Sequence, residues 1–304
     1  MTDDLNTLAT ALYFFTDETL KTYLRLAPDR PPGGFDLTLS DAEVVTLAVM
    51  SALLSEPSER RWVRRVRVEF RGLFPGMPGQ SGYNKRLRKA APLLMTMIRF
   101  MAAQTALWWD DLWVVDSTPV PCGASRETVL RSDLAGWAEY GYCASHSRFF
   151  WGLRLHLVCT LSGLPIMFAL SGAKADERDV PAGMLEVDAA VVAARPGQKI
   201  MGDKNYFGRE FEADLTGRDL VLLRPARKGE APRAGRRFLK PWRQCIESIN
   251  QTLKGQLDLE RHAGRTVAGV TARVAARLLA LTAVIWHNEQ TGQPIKRSLV
   301  AYDH

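Results

Sequence analysis

The chain has 304 residues, 46% hydrophobic and 24% charged, with a formal net charge of +7, which describes a globular protein with a buried core and a preference for polyanionic partners. Its four cysteines form no Cys-x-x-Cys pair, which argues against a zinc site or a disulfide framework and for reduced thiols in the cytoplasm. The N-terminus lacks a signal-peptide pattern, and no run of about 18 apolar residues predicts a membrane span.

Residues 1–107 are predicted to be helical throughout, because their apolar side chains recur at helical spacing. Ser40 and Glu43 form a capping box ahead of a helix over 44–54. The stretch 59–89 is strongly basic, and a merely solvated helix face usually mixes charges of both signs. We therefore expect DNA contacts here, from a helix that carries Lys85, Arg86 and Arg88.

From Trp113 onward the pattern predicts a mixed sheet with helices packed on it. Strands are predicted over 112–115, 149–160, 164–170, Gln198–Met201 and Leu220–Leu223, and helices over 180–194 and 207–215. Ser162-Gly163 is a tight turn that makes the second and third strands a hairpin.

Two aspartates each follow a predicted strand, Asp116 after the first and Asp203 after the fourth. Taken singly, each is explained as a turn residue or a helix cap. The carboxyl ends of strands are where open α/β sheets place ligands, and two such aspartates meet if their strands are neighbours.

A third carboxylate, Glu247, lies on a later amphipathic helix. At 100° per residue, Arg243, Glu247, Asn250 and Lys254 share one face. A second face, made of Ile246, Ile249, Leu253 and Leu257, is expected to pack on the sheet. An i,i+4 Arg–Glu pair would explain Arg243 and Glu247, but neither Asn250 nor Lys254.

Three gathered carboxylates repel one another unless a cation lies between them. The ligands are oxygens without a histidine or cysteine cluster, so we expect Mg²⁺ or Mn²⁺, as two ions that clamp the attacking and leaving oxygens of a phosphodiester. The basic segment before Glu247, which includes Arg236, Arg237 and Lys240, is expected to follow the DNA backbone. His156 is interpreted as a packed residue rather than a ligand. The acidic residues 176–179 could supply a further acid to the site, but they are interpreted as a helix cap.

Four motifs carry a resemblance to a known family: Asp-Ser-Thr-Pro-Val at 116, Phe-Phe-Trp-Gly-Leu-Arg-Leu-His-Leu-Val at 149, Gly-Asp-Lys-Asn-Tyr at 202, and Arg-x3-Glu-x6-Lys at 243. In this order they resemble bacterial insertion-sequence transposases of the DDE type. The resemblance covers residues 110–290 and implies a ribonuclease H-like catalytic domain, with an α/β mixed sheet flanked by helices and an all-helical N-terminal region.

The resemblance also implies that Asp116, Asp203 and Glu247 bind metal, and that Arg243 and Lys254 flank them and contact DNA. Many relatives carry a tyrosine three residues before the arginine, where this chain has Lys240. Such proteins act as dimers or larger synaptic assemblies on double-stranded DNA, at terminal inverted repeats and at target sites. The expected domains are 1–107 for DNA binding or dimerisation, 108–290 for catalysis, and 291–304 as a tail.

Two alternatives stay open at the level of the sequence. Another ribonuclease H-like nuclease would share the carboxylates, although it would not need the basic N-terminal helices. A transposase-derived DNA-binding protein that has lost catalysis would share everything except activity.

Overall fold

The structure is a computed structural model that describes residues 3–29, 38–143, 147–233, 236–296 and 298–302. The chain divides into two compact units, one of Met1–Gln104 with Leu253–His304 and one of Thr105–Thr252. Both ends of the chain thus contribute to the first unit, which differs from the three ranges expected from the sequence. As functional domains, those three ranges stay a prediction.

Helices make up most of the first unit and flank the sheet of the second. Within the described residues the α-helices are α1 (Asp3–Thr22), α2 (Asp41–Leu53), α3 (Glu59–Glu69), α4 (Gln80–Lys89), α5 (Ala91–Ala102), α6 (Arg126–Arg131), α7 (Asp179–Val187), α8 (Ala189–Ala193), α9 (Arg209–Gly217), α10 (Arg236–Gln251) and α11 (Val267–Gln290). A π-helical segment, Thr252–Gln256, follows α10 directly. The prediction that the N-terminal region is helical is confirmed.

The core of the first unit is built around α11, which packs against α1, α2, α4 and α5. A helix that is apolar on all sides belongs inside a protein or a membrane. By length and composition α11 could cross a membrane, although Arg273 and Arg277 interrupt its apolar sequence, and 83% of its apolar window is buried inside the protein.

The first unit also confirms the predicted start of α2. Ser40 accepts a hydrogen bond from the backbone N–H of Glu43, and the Glu43 side chain accepts one from the backbone N–H of Ser40. The helix begins at Asp41, earlier than the apolar pattern suggested, because a capping residue directly precedes the first helical residue.

A buried ion pair ties α3 to α11. Glu59 pairs with Arg273, each side chain is only 12% exposed, and Asn84 donates to Glu59 from α4. One turn further along α11, Arg277 is also buried, and burial lowers its pKa to about 10. The carboxylate of Glu59 therefore compensates the charge of Arg273, while that of Asp258 acts on Arg277.

Removing that carboxylate should destabilise the protein strongly. We expect Glu59→Ala to lower the free energy of unfolding by about 3–5 kcal/mol, because a buried arginine without its partner keeps its desolvation cost. Urea denaturation measures the effect. Glu69→Ala is the matched control on the same helix: Glu69 pairs with Arg65 but its side chain is 48% exposed, so its loss should cost less than about 1 kcal/mol. Equal losses in the two variants would contradict the interpretation.

The second unit is organised by a six-stranded sheet. Its strands are β1 (Leu112–Gly123), β2 (Glu139–Cys143), β3 (Arg148–Thr160), β4 (Pro165–Gly172), β5 (Gln198–Met201) and β6 (Leu220–Leu223). The order is β2-β3-β1-β5-β6, and β4 also pairs with β3. β3 is antiparallel to β1 and to β4, whereas β1, β5 and β6 pair in parallel. Consequently β4, β1, β5 and β6 all run in the same direction.

Leaving β2 aside, the order β4-β3-β1-β5-β6 with one reversed strand is the ribonuclease H-like arrangement. Helices cover the sheet: α7 contacts β4, α9 contacts β6, and α10 contacts β1. The fold class expected from the resemblance is confirmed.

Three details of the second unit differ from the prediction. β1 continues to Gly123, far beyond the expected end at residue 115. The segment between the first two predicted strands contains the rest of β1, then α6 and β2. The helix expected over 180–194 is two shorter helices that meet at Asp188.

Candidate active site

The first feature of the site is that it brings Asp116 and Asp203 to the same edge. The last parallel pair between β1 and β5 joins Val114 to Met201, and each aspartate stands two residues beyond its member of that pair. The charge of Asp203 acts on Asp116 and raises its pKa, so the two carboxylates lie close together. The prediction placed Asp116 at the end of its strand. In the structure β1 continues to Gly123, and Asp116 lies two residues after the last residue of β1 that pairs with β5.

The surroundings of Asp116 disfavour the charged form of its carboxylate. Its pKa is raised to about 6, chiefly by burial and also by the charges of Asp203 and Glu177. Two hydrogen bonds oppose this shift: the backbone N–H of Ser117 donates to Oδ1 at 2.8 Å, and Nδ2 of Asn250 donates to Oδ2 at 2.8 Å. The site thus gathers more negative charge than its own donors compensate.

The residue of helix α10 that contacts Asp116 is Asn250 rather than Glu247. Its buried side chains Ile246 and Ile249 confirm the predicted apolar face. Glu247 instead accepts a hydrogen bond from Nε of Arg243 at 2.9 Å, and both side chains are well exposed. Among the described residues, no three His, Cys, Asp or Glu side chains come close enough together to hold a metal ion.

The last member of the predicted face, Lys254, lies beyond the end of α10. Lys254 lies in the π-helical segment and belongs to the first compact unit. The predicted common face assumed an uninterrupted α-helix, and a π turn changes the angular spacing. The side chains of Arg236, Arg237 and Lys240 fall outside the described part of the structure.

The basic side chains predicted on α4 have different surroundings from one another. Arg86 is held internally: it pairs with Asp41 at 2.6 Å and donates to the carbonyl of Leu39. Lys85 is exposed and Arg88 is partly buried. On α3, the exposed arginines Arg60, Arg64 and Arg67 follow a helical spacing along one face.

A cluster that the sequence did not reveal lies beside Asp116. Arg154 on β3 donates to Glu177 at 3.0 Å and to the hydroxyl of Ser117 at 2.8 Å. The interpretation of residues 176–179 as a helix cap is wrong for Glu177, because α7 begins at Asp179 without a side-chain capping bond. The only sequence signal was the acidic group itself.

Tyr206 also lies near Asp116 without a role predicted from the sequence, although it belongs to the Gly-Asp-Lys-Asn-Tyr motif. Its side chain is 1% exposed. Burial raises the pKa of Tyr206 well above its ordinary value, and the carboxylates of Asp116 and Glu177 raise it further. The phenol therefore stays protonated, and its hydroxyl has no hydrogen-bond partner among the described residues.

His156, by contrast, matches its prediction. It is fully buried in β3, and Nε2 lies 2.9 Å from the hydroxyl of Ser171. Burial lowers the pKa of His156 to about 4, so the ring is neutral at pH 7 and packs in the sheet.

A divalent cation fits the residues present. The donors at the β1–β5 edge are carboxylate oxygens, which Mg²⁺ and Mn²⁺ prefer. The buried hydroxyl of Tyr206 needs a hydrogen-bond partner, which a hydrated ion or a phosphate oxygen would supply. Asp116 and Asp203 are the residues that would hold the ion, and Glu247 would have to turn from Arg243 to join them.

Cation binding should appear as a rise in thermal stability. At a hundredfold excess over its Kd, Mn²⁺ stabilises a folded protein by about 2.7 kcal/mol, which corresponds to a Tm rise of roughly 5–10 °C. Differential scanning fluorimetry with and without EDTA measures it. Asp116→Asn should abolish the rise, whereas Glu210→Gln, at an exposed position on α9, should keep it. An unchanged rise in Asp116→Asn would place the bound ion elsewhere.

Comparison with known families bears on the same region. The family model described as "Transposase DDE domain" matches residues 110–283, which is more than half of the chain. The searches of curated proteins and of solved structures found no match to the chain.

Proposed function

The chain belongs to the family of transposases with a DDE domain, and from this premise we propose that it binds the ends of its own insertion sequence, cuts DNA there and joins the ends to a target. The observation that carries the proposal is the position of Asp116 and Asp203, each two residues beyond the last β1–β5 pair, with the charge of Asp203 acting on Asp116. Asp116, Asp203 and Glu247 are the proposed catalytic and metal-binding residues.

The proposed reaction has two in-line substitutions at phosphorus. In the first, a water oxygen forms a bond to phosphorus, the bond from phosphorus to the 3′ oxygen breaks, and that oxygen leaves with a proton as a 3′-hydroxyl. In the second, this 3′-hydroxyl attacks a phosphorus of the target, and the 3′ oxygen of the target leaves. Two bound Mg²⁺ or Mn²⁺ ions supply stabilisation of negative charge on the attacking and leaving oxygens.

The residues of the chain have separate roles in this scheme. Asp116 and Asp203 would hold the cations, while Asn250 fixes one oxygen of Asp116. Glu247 lies one helical turn before Asn250, and among the described residues its one ion pair is the exposed pair with Arg243. Exposed pairs of this kind contribute about 0–1 kcal/mol, so Glu247 can leave Arg243 at little cost and complete the set of carboxylates.

DNA contacts are proposed on both compact units. Those of the second unit come from Arg243 and Asn250 on α10 and, by sequence position, from Arg236, Arg237 and Lys240. Those of the first come from Lys254, from Lys85 and Arg88, and from the exposed face of α3. Arg86 is the weakest member of the predicted set, since its guanidinium is used in the pair with Asp41.

The proposed partners are double-stranded DNA, with terminal inverted repeats and target sites, and a second copy of the chain in a dimer or larger synaptic assembly. The expected setting is the cytoplasm. A second candidate function is DNA binding without cleavage, and one observation favours it: Glu247 stands apart from Asp116 and pairs with Arg243.

A cleavage assay tests the proposal. The purified protein is incubated with the DNA that flanks its own gene, in Mg²⁺, Mn²⁺ or EDTA. Metal-dependent nicks at defined ends, with exposed 3′-hydroxyls, are the expected result. Specific binding without a cut in either metal would support the second candidate and overturn the first.

A further inference from the structure

Three loops open at the same edge of the sheet as the aspartates. Because β4, β5 and β6 run in one direction, the segments that follow them emerge together. The loop after β4 carries Asp176 and Arg178, the loop after β5 carries Asp203 and Phe207, and the loop after β6 carries Arg227. This edge of the sheet therefore carries two arginines and an aromatic ring in addition to the carboxylates.

Two of the four cations described in the loop after β6 form ion pairs inside the protein. Arg224, which is buried, pairs with Glu212 at 2.7 Å and with Glu230 at 2.8 Å. Arg233 pairs with the same two glutamates, at 2.9 and 2.8 Å. These two arginines fix the path of the loop, and their charges are compensated there.

Arg227 differs from both. Its guanidinium lies over the ring of Phe207, with the central carbon 3.6 Å from the ring centroid. The residue is exposed, and its side chain makes no ion pair with any described residue. A guanidinium that stacks by its face on an aromatic ring keeps its in-plane N–H donors free.

The ring below Arg227 is itself held in place. Arg178 donates to the carbonyl of Phe207 at 3.2 Å, and it is fixed in turn by two hydrogen bonds to the carboxylate of Asp176, at 2.9 and 2.6 Å. Phe207 is also linked to Asp203 by a tight turn, in which the N–H of Tyr206 donates to the carbonyl of Asp203 at 3.3 Å. Arg227 therefore rests on a ring whose position is coupled to a catalytic carboxylate.

We propose that Arg227, stacked on Phe207, binds a backbone phosphate of the DNA strand beside Asp203. The inference rests on the proposed function and adds to it the residue that positions the strand. Free N–H donors in a fixed fork match the oxygens of a phosphate, and such a contact sets register without reading sequence. Arg227 is a positioning residue, since it acts on the strand rather than on the reacting bond.

The test compares Arg227→Gln, Arg227→Lys, Phe207→Leu and the control Arg218→Gln. Arg218 lies just after α9 and pairs with Asp214, so its loss should leave both cleavage and binding unchanged. Arg227→Gln should slow cleavage about tenfold or more, as expected for a charge-assisted hydrogen bond. It should also reduce the slope of log affinity against log salt by about one, without lowering Tm.

The other two variants separate charge from geometry. Arg227→Lys keeps the charge and should restore the salt slope but not the cleavage rate, because a lysine has no planar fork. Phe207→Leu should slow cleavage in the same direction, by a smaller factor. A salt slope and a cleavage rate in Arg227→Gln equal to those of Arg218→Gln would overturn the inference. If the unmodified protein binds DNA without cutting it, the proposed function fails while the salt slopes still decide the role of Arg227.

Discussion

Asp203→Ala is expected to abolish strand cleavage while leaving DNA affinity nearly unchanged. Loss of a cation-holding carboxylate removes several kcal/mol of transition-state stabilisation, which corresponds to a rate loss of about 10³-fold or more. Asp203 is exposed, and within the described residues its carboxylate accepts hydrogen bonds only from Asn205, two residues away, so the core does not depend on that carboxylate. Removing a negative charge near a polyanion should not weaken binding.

The measurement is cleavage of labelled DNA in Mn²⁺, paired with binding of the same DNA in EDTA. Asp203→Asn provides the internal control, because asparagine keeps an acceptor for the N–H of Asn205 and so preserves the turn. Both variants should be inactive with unchanged Tm. Activity in Asp203→Asn, or a matching loss of binding and Tm in Asp203→Ala, would show that Asp203 serves the fold instead of the chemistry.

Glu247→Gln is expected to have an effect of similar size, about 10³-fold on cleavage. The experiment distinguishes two candidates for the third carboxylate, because Glu177, and not Glu247, is the glutamate whose charge acts on Asp116 in the structure. If Glu247 turns from Arg243 to complete the site, Glu247→Gln is inactive and Glu177→Gln retains measurable activity. If Glu177 is the third ligand, the two variants exchange their results.

Ser248→Ala is the matched control for the helix, since Ser248 is the exposed neighbour of Glu247 on α10. It should cleave at the normal rate. Tm should be unchanged in Glu247→Gln, because only an exposed ion pair is lost. A fall in Tm would mean that the Arg243–Glu247 pair supports the helix, and the rate would then have to be compared at a temperature where both proteins are folded.

Regular elements with strong apolar patterns could be predicted from the sequence. The strands Gln198–Met201 and Leu220–Leu223 have the predicted limits, and the apolar face of α10 is buried as expected. The extension of β1 was obscured by Pro119 and Pro121. Those prolines are tolerated because β5 pairs with β1 only as far as Val114, so no strand needs their missing N–H groups on that side.

What the sequence could not predict depends on long-range pairing. β2 is short and centred on Gly141, where an added Cβ would collide with Ala173 and Phe150, so a glycine that weakens the strand signal is required by packing. The contact between Arg154 and Glu177 depends on how β3 is placed against the loop after β4. Neither has a local signature.

The division of the first unit between the two ends of the chain has a consequence for synthesis on the ribosome. The side chains of α5 that pack on α11, such as Leu94 and Met97, are fully buried in the folded protein, yet they leave the exit tunnel long before α11 is translated. At roughly 5–20 residues per second the nascent N-terminal helices wait about ten seconds or more for their partner. During that interval their apolar faces are targets for chaperones, and a pause in translation before Val267 would lengthen the exposure.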